Sequence, residues 1–128
     1  MKTVLFDCLL VGAGGFVGAI CRYGIAAASK SLWDSTFPVG TLIANVIGCF
    51  LIGMLIGSGA GESSKHARLL FGVGFLGALT TFSTFGAESI GAMSDQQHGI
   101  AIGNILLNLG VGLPAVVVGM WLGKKFSG

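Results

Sequence analysis

The sequence has 128 residues, 53% of them hydrophobic and only 9% charged, with 23 glycines and a net charge of +2. A water-soluble domain needs about a quarter of its residues charged, and a disordered chain pairs high charge with little apolar content; a mean hydropathy of +0.89 fits neither. So small a net charge, with no basic stripe among aromatics, also points away from nucleic acid, and the lipid bilayer remains as the solvent this composition suits.

A membrane-crossing helix takes about 20 mainly apolar residues. Four stretches qualify, residues 5–28, 38–57, 69–93 and 100–123, and the connectors between them are too short to hold a second domain. The predicted fold is therefore an all-α integral membrane protein with four transmembrane helices in one domain spanning residues 1–128. Lys2 ahead of an apolar run, with Ala26, Ala27 and Ala28 further on, resembles a cleavable leader. The run exceeds the leader's apolar core of about 7–15 residues, so it is expected to stay as span one. Arg22, beside Tyr23, interrupts its end. Such a side chain can reach the headgroups, or it can attract anions at a vestibule. Gly14 and Gly18 have the four-residue spacing of close helix contacts, as do Gly53 and Gly57 in span two.

In span two, Thr41 and Asn45 are four apart and share a helix face. They can bond to a neighbouring helix or line a polar path. Span three carries four hydroxyl residues in five positions, Thr80, Thr81, Ser83 and Thr84, where an apolar middle is expected. Ser and Thr side chains compete for backbone groups and bend membrane helices. Irregular backbone at membrane depth is tolerated where it lines a cavity, so this span is predicted to be interrupted mid-membrane. Phe82 and Phe85 lie on one face among those hydroxyls. The positive edges of aromatic rings can receive a small anion; ordinary packing is the alternative. Glu88 follows one to two turns later, and a carboxylate in such a place needs a partner, a proton or a transport role. Span four sets Asn104 and Asn108 on one face, able to pair with Asn45 or with the span-three hydroxyls, and Pro114 is expected to kink that helix or free a carbonyl.

With four spans, both chain ends and the middle connector share a side. Lys2, Lys65, Arg68, Lys124 and Lys125 lie there, against Arg22 and Lys30 opposite, which favours cytoplasmic ends. Cys8, Cys21 and Cys49 stand in apolar runs without metal-site or disulfide spacing. His66 and His98 lie in connectors away from any nucleophile, so no enzyme is expected.

The order Gly15, Gly18, Arg22, Tyr23, then Pro38, Gly40, Thr41, Leu42, Asn45, Gly48, Gly53, then the run from Gly74 to Phe85 closing on Glu88, resembles the Fluc (CrcB-type) fluoride channels through nearly the whole chain. The resemblance implies an antiparallel, dual-topology homodimer with two fluoride pores in a cell inner membrane, giving passive fluoride exit and resistance to fluoride. It implies Phe82 and Phe85 as ring-edge contacts, Asn45 as a pore-lining donor, Ser83 and Thr84 as hydroxyl donors and Arg22 at the vestibule. Thr41, Glu88 and Asn108 are expected on a polar track beside them. It also implies a structural sodium ion at the dimer centre, held by backbone carbonyls of Gly77 and Thr80. The five-to-two cationic bias fits dual topology only in part. Two rivals stand beside this reading. A small dual-topology, proton-coupled exporter would use Glu88 or Asp7 as its carrier, and a scaffold whose glycines and asparagines only pack helices would conduct nothing.

Overall fold

The computed structural model describes residues 2–127, and all regular structure among them is helical. Helix α1 (Lys2–Leu32) is followed by α2 (Val39–Gly57) and two short turns, α3 (Ala60–Ser63) and α4 (Lys65–Ala67). The chain then winds as a π-helix over Arg68–Leu76, returns to α5 (Gly77–Leu79), breaks, and resumes as α6 (Phe82–Ser94) before α7 (His98–Ser127). Four continuous or near-continuous segments are long and apolar enough to cross a membrane: Thr3–Leu32, Val39–Gly57, Lys65–Ser94 and His98–Ser127. The protein is a multi-pass membrane protein. Span one runs past its expected end at residue 28, so that Lys30 sits in the last turn of α1. There a cation faces the negative end of the helix dipole. Helix α7 continues through Pro114 without ending.

Glycine decides how the helices meet. A Cβ at Gly14 or Gly18 would overlap the carbonyls of Leu70 and Phe75, and one at Gly74 would press on the Val11 carbonyl, so α1 lies backbone to backbone against the π-helical stretch. Helices α2 and α7 form the most extensive contact. Gly53 and Gly57 receive the Val116 and Met120 carbonyls, while Gly119 and Gly123 receive those of Phe50 and Met54. Both spaced pairs singled out in the sequence thus serve close helix contact, which in lipid depends on dispersion and backbone approach because burial from water contributes nothing there. The π winding suits the same seam: the Gly77 N–H reaches back five residues to the Gly72 carbonyl.

At one end of the bundle, Lys65 Nζ pairs with Asp7 Oδ2 at 2.6 Å, and Ser127 Oγ donates to the Ser58 carbonyl at 3.0 Å. The start of α1, the middle connector and the end of α7 therefore share that end, the side to which the sequence assigns most of the cations. The link between spans three and four is a tight turn in which Gln96 adopts a left-handed φ of 59°.

Candidate functional site

Span three breaks at two consecutive threonines. Thr80 (φ −86°, ψ 156°) and Thr81 (φ −150°, ψ 114°) are extended, between the end of α5 and the start of α6. The Thr80 N–H still makes its ladder bond to the Leu76 carbonyl at 3.1 Å, and the two hydroxyls add side-chain bonds around the break. Thr80 Oγ1 donates to the Leu76 carbonyl at 3.0 Å, and Thr81 Oγ1 accepts the Thr84 N–H at 3.2 Å, making Thr81 the N-cap of α6. An N-cap hydroxyl of this kind contributes about 1 kcal/mol.

The donors that an unbroken helix would give to the Gly77 and Thr80 carbonyls are therefore used elsewhere. The Thr81 N–H, four residues after Gly77, bonds Asn45 Oδ1 at 2.9 Å, and the Thr84 N–H, four residues after Thr80, is held by the Thr81 hydroxyl. Arg22 Nε donates to the Ala78 carbonyl at 3.0 Å, which places the guanidinium beside the break and brings it into neither cavity described below. Gly48 of α2 faces the break directly: a Cβ there would collide with Thr80 Cγ2.

A cavity of about 400 Å³ opens at this point, lined by Asn45, Gly77, Thr80, Thr81, Phe82, Phe85 and Asn108 together with apolar residues. The Phe82 and Phe85 rings lie 5.7 Å apart at 55°. Phe82 is 83% exposed, so its own chain covers little of the ring. Asn45 Nδ2 donates to Asn108 Oδ1 at 2.9 Å and more loosely to the Thr81 carbonyl at 3.4 Å. Thr84 Oγ1 accepts from Thr81 Oγ1 at 2.9 Å, and Ser83, which is exposed, lies 3.4 Å from the same hydroxyl.

Thr41 and Glu88 stand apart from this group. Thr41 Oγ1 donates to Glu88 Oε1 at 2.7 Å, and both line a second cavity of about 250 Å³ with Ser29, Lys30 and Trp33. The second carboxylate oxygen of Glu88 is buried without a hydrogen-bond partner among the described residues. Thr41 and Asn45 are one turn apart on α2, so that helix face links the two cavities.

These features can be set beside known proteins. A family model described as "CrcB-like protein, Camphor Resistance (CrcB)" matches residues 9–120. The chain belongs to the CrcB-like family. It is similar to a protein of Dehalococcoides mccartyi (strain CBDB1), 40% identical over 120 residues that make up 92% of each chain. A protein of a Sulfurovum species is 42% identical, covering 94% of this chain and 95% of its own. One of Shewanella halifaxensis is 41% identical, covering 95% and 96%. All three carry the name "Fluoride-specific ion channel FluC", which is that of a channel and not of an enzyme. The resemblance seen in the sequence is thus to the family the chain belongs to.

Two residues of this CrcB-like protein that sequence reasoning left outside the site proved central to its geometry. Thr81 caps α6 and gives its N–H to Asn45. Its signal was its place directly before a resumed helical pattern, where hydroxyl residues are favoured as caps. Ser89, 5% exposed, accepts from Asn104 and donates to the Phe85 carbonyl. One serine on a membrane helix face gave no sign of that role.

Proposed function

We propose that this protein is a fluoride-selective channel that lets cytoplasmic fluoride leave passively and so protects against its toxicity. The observation that carries the reading is the capped break: the first turn of α6, with its positive dipole end, opens on a cavity lined in part by hydroxyls, two asparagine amides and two phenylalanine rings. Fluoride is small and tightly hydrated, so a selective path must exchange its water for donors and positive ring edges at close quarters. Asn45, Ser83 and Thr84 supply donors, Phe82 and Phe85 supply edges, and Arg22 supplies a fixed positive charge beside the break. Thr41, Glu88 and Asn108 continue the polar track. Fluoride enters acidified surroundings as the neutral acid, dissociates in the cytoplasm and is trapped there; a channel returns it down its gradient without ATP.

Four further features belong to this proposal. The break lies mid-membrane, because Thr80 and Thr81 stand near the centre of the Lys65–Ser94 segment. The working unit is an antiparallel homodimer with two pores, a second copy covering the ring of Phe82. A structural sodium ion at the centre fits the carbonyls of Gly77 and Thr80, whose helical donors Asn45 and the Thr81 hydroxyl divert. Such an ion would supply positive charge that ties the two copies together. The membrane is the cell inner membrane, in which both insertion orientations are used.

The test is efflux from liposomes holding purified protein and loaded in parallel with fluoride or chloride, followed with ion-selective electrodes. Rapid loss of fluoride with chloride retained is the expected result. No fluoride loss from well-reconstituted protein would sink the proposal. A proton-coupled exporter would instead be indicated if Glu88→Gln abolished transport while Phe82→Ile left it intact.

A further inference from the structure

We infer that Asn104 is a positioning residue: from outside the cavity it fixes which way the amides of Asn108 and Asn45 face. The inference rests on the fluoride-channel reading for its consequence, though not for its geometry. Asn104 is fully buried and does not line the cavity around Phe82. Its Nδ2 donates to Ser89 Oγ at 2.9 Å, and Ser89 Oγ in turn donates to the Phe85 carbonyl at 2.8 Å. Its Oδ1 then accepts from Asn108 Nδ2 at 2.9 Å, and Asn108 gives the same nitrogen to the Asn104 main-chain carbonyl. Asn108 is left to offer its oxygen to Asn45 Nδ2, and Asn45 to offer its oxygen to the Thr81 N–H.

Each side-chain amide in this relay could be turned over if it stood alone. The two ends could not: a main-chain N–H only donates and a main-chain carbonyl only accepts. With Thr81 N–H at one end and the Phe85 carbonyl at the other, a single direction satisfies every link, and linked polar groups of this kind reinforce one another.

The direction matters at the cavity. It holds the Asn45 oxygen on the Thr81 N–H and turns its nitrogen outward, with one hydrogen engaged only by the 3.4 Å contact to the Thr81 carbonyl. That weakly engaged hydrogen is the one available to an anion in the cavity. An inverted Asn45 would set a carbonyl oxygen against the anion instead. Asn108 spends its hydrogens on Asn104, so its part is to orient Asn45 and not to donate to the ion. Without Asn104 Oδ1, Asn108 loses one of the three contacts that hold its amide, can turn over, and then meets the Asn45 nitrogen with its own.

The experiment compares wild-type protein with Asn104→Leu and with the gentler Ser89→Ala, by two readouts. The first is fluoride flux from liposomes as a function of fluoride concentration. The half-saturating concentration should rise about tenfold for Asn104→Leu and about threefold for Ser89→Ala, with maximal flux within about twofold of wild type. The second is hydrogen exchange of the peptide containing Thr81, which should quicken in both variants while peptides around Gly119 keep their protection. A lower maximal flux with an unmoved half-saturation point, and exchange raised along all of α7, would overturn the proposal in favour of plain structural support. So would both readouts unchanged in a conducting protein. Wild type without fluoride flux, but with Thr81 exchange responding to the variants, would sink the channel reading and leave the relay standing. If Asn104→Leu does not assemble, Ser89→Ala carries both readouts alone.

Discussion

At the scale of single residues, Phe82 is the aromatic side chain of the proposed path that its own chain covers least. Phe82 stands almost bare beside Phe85 on a largely apolar cavity with a few polar groups, an arrangement that contributes little to this chain's own packing. Phe82→Ile and Phe85→Ile should therefore each lower fluoride flux by about tenfold, the scale of one lost edge contact, with elution from a gel-filtration column unchanged. Normal flux in both variants would remove these rings from the path. Much at this scale could be read beforehand: four hydroxyls beside two phenylalanines have no reason to sit in lipid, and Asn45 with Asn108 was among the pairings their helix faces allowed. Which hydroxyl did which job could not be read. Thr81 and Thr80 are neighbours of one residue type, and only the approach of Asn45 from α2 separates a cap with a tethered N–H from a residue that bonds back to its own helix.

At the scale of elements, two devices shape the bundle: the threonine break and the glycine seams. Thr81→Val keeps the shape of the side chain and removes the cap. It should lower stability by about 1 kcal/mol, read as a fall of a few degrees in thermal midpoint, and it should slow flux because the first turn of α6 frays. An unchanged midpoint would mean that Thr84 finds another partner. Gly18→Val sets a Cβ on the Phe75 carbonyl and should cost about 1–3 kcal/mol or more by overpacking. Gly12→Val, where nothing lies within 4 Å, serves as the contrast on the same helix. The glycine pairs were legible because their spacing repeats every helical turn. The π winding of Arg68–Leu76 was not, because an added residue per turn leaves no mark on an already apolar, glycine-rich run. The reach of α1 to Leu32 also exceeded its apolar stretch, since a helix persists into polar surroundings when its ladder continues.

At the scale of the whole molecule, the single chain is thinly cored. Its buried apolar side chains among the described residues are Ala44, Leu76, Leu79 and Ala101, and no more than 22% of any span's apolar window is buried. Dimerisation follows from the proposed function, and light scattering in detergent should return twice the 13.0 kDa chain mass. If sodium is held between copies, replacing it with N-methylglucamine should lower the thermal midpoint, by about 2.7 kcal/mol of lost stability where sodium had been present at about 100 times its dissociation constant. An equal midpoint in both salts would take the ion out of the assembly.

The α2 and α7 seam reaches further than packing. The two helices that hold each other most extensively are separated by the whole of span three, so the partner that fills the glycine face of α2 is made last among the spans. Until then Gly53 and Gly57 meet lipid or the translocation machinery, while α1 can already settle against α2 and the π-helical stretch. The fold therefore closes late in synthesis. A nascent chain halted before Gly119 is half a protein with an open seam, the kind of intermediate that membrane quality control removes.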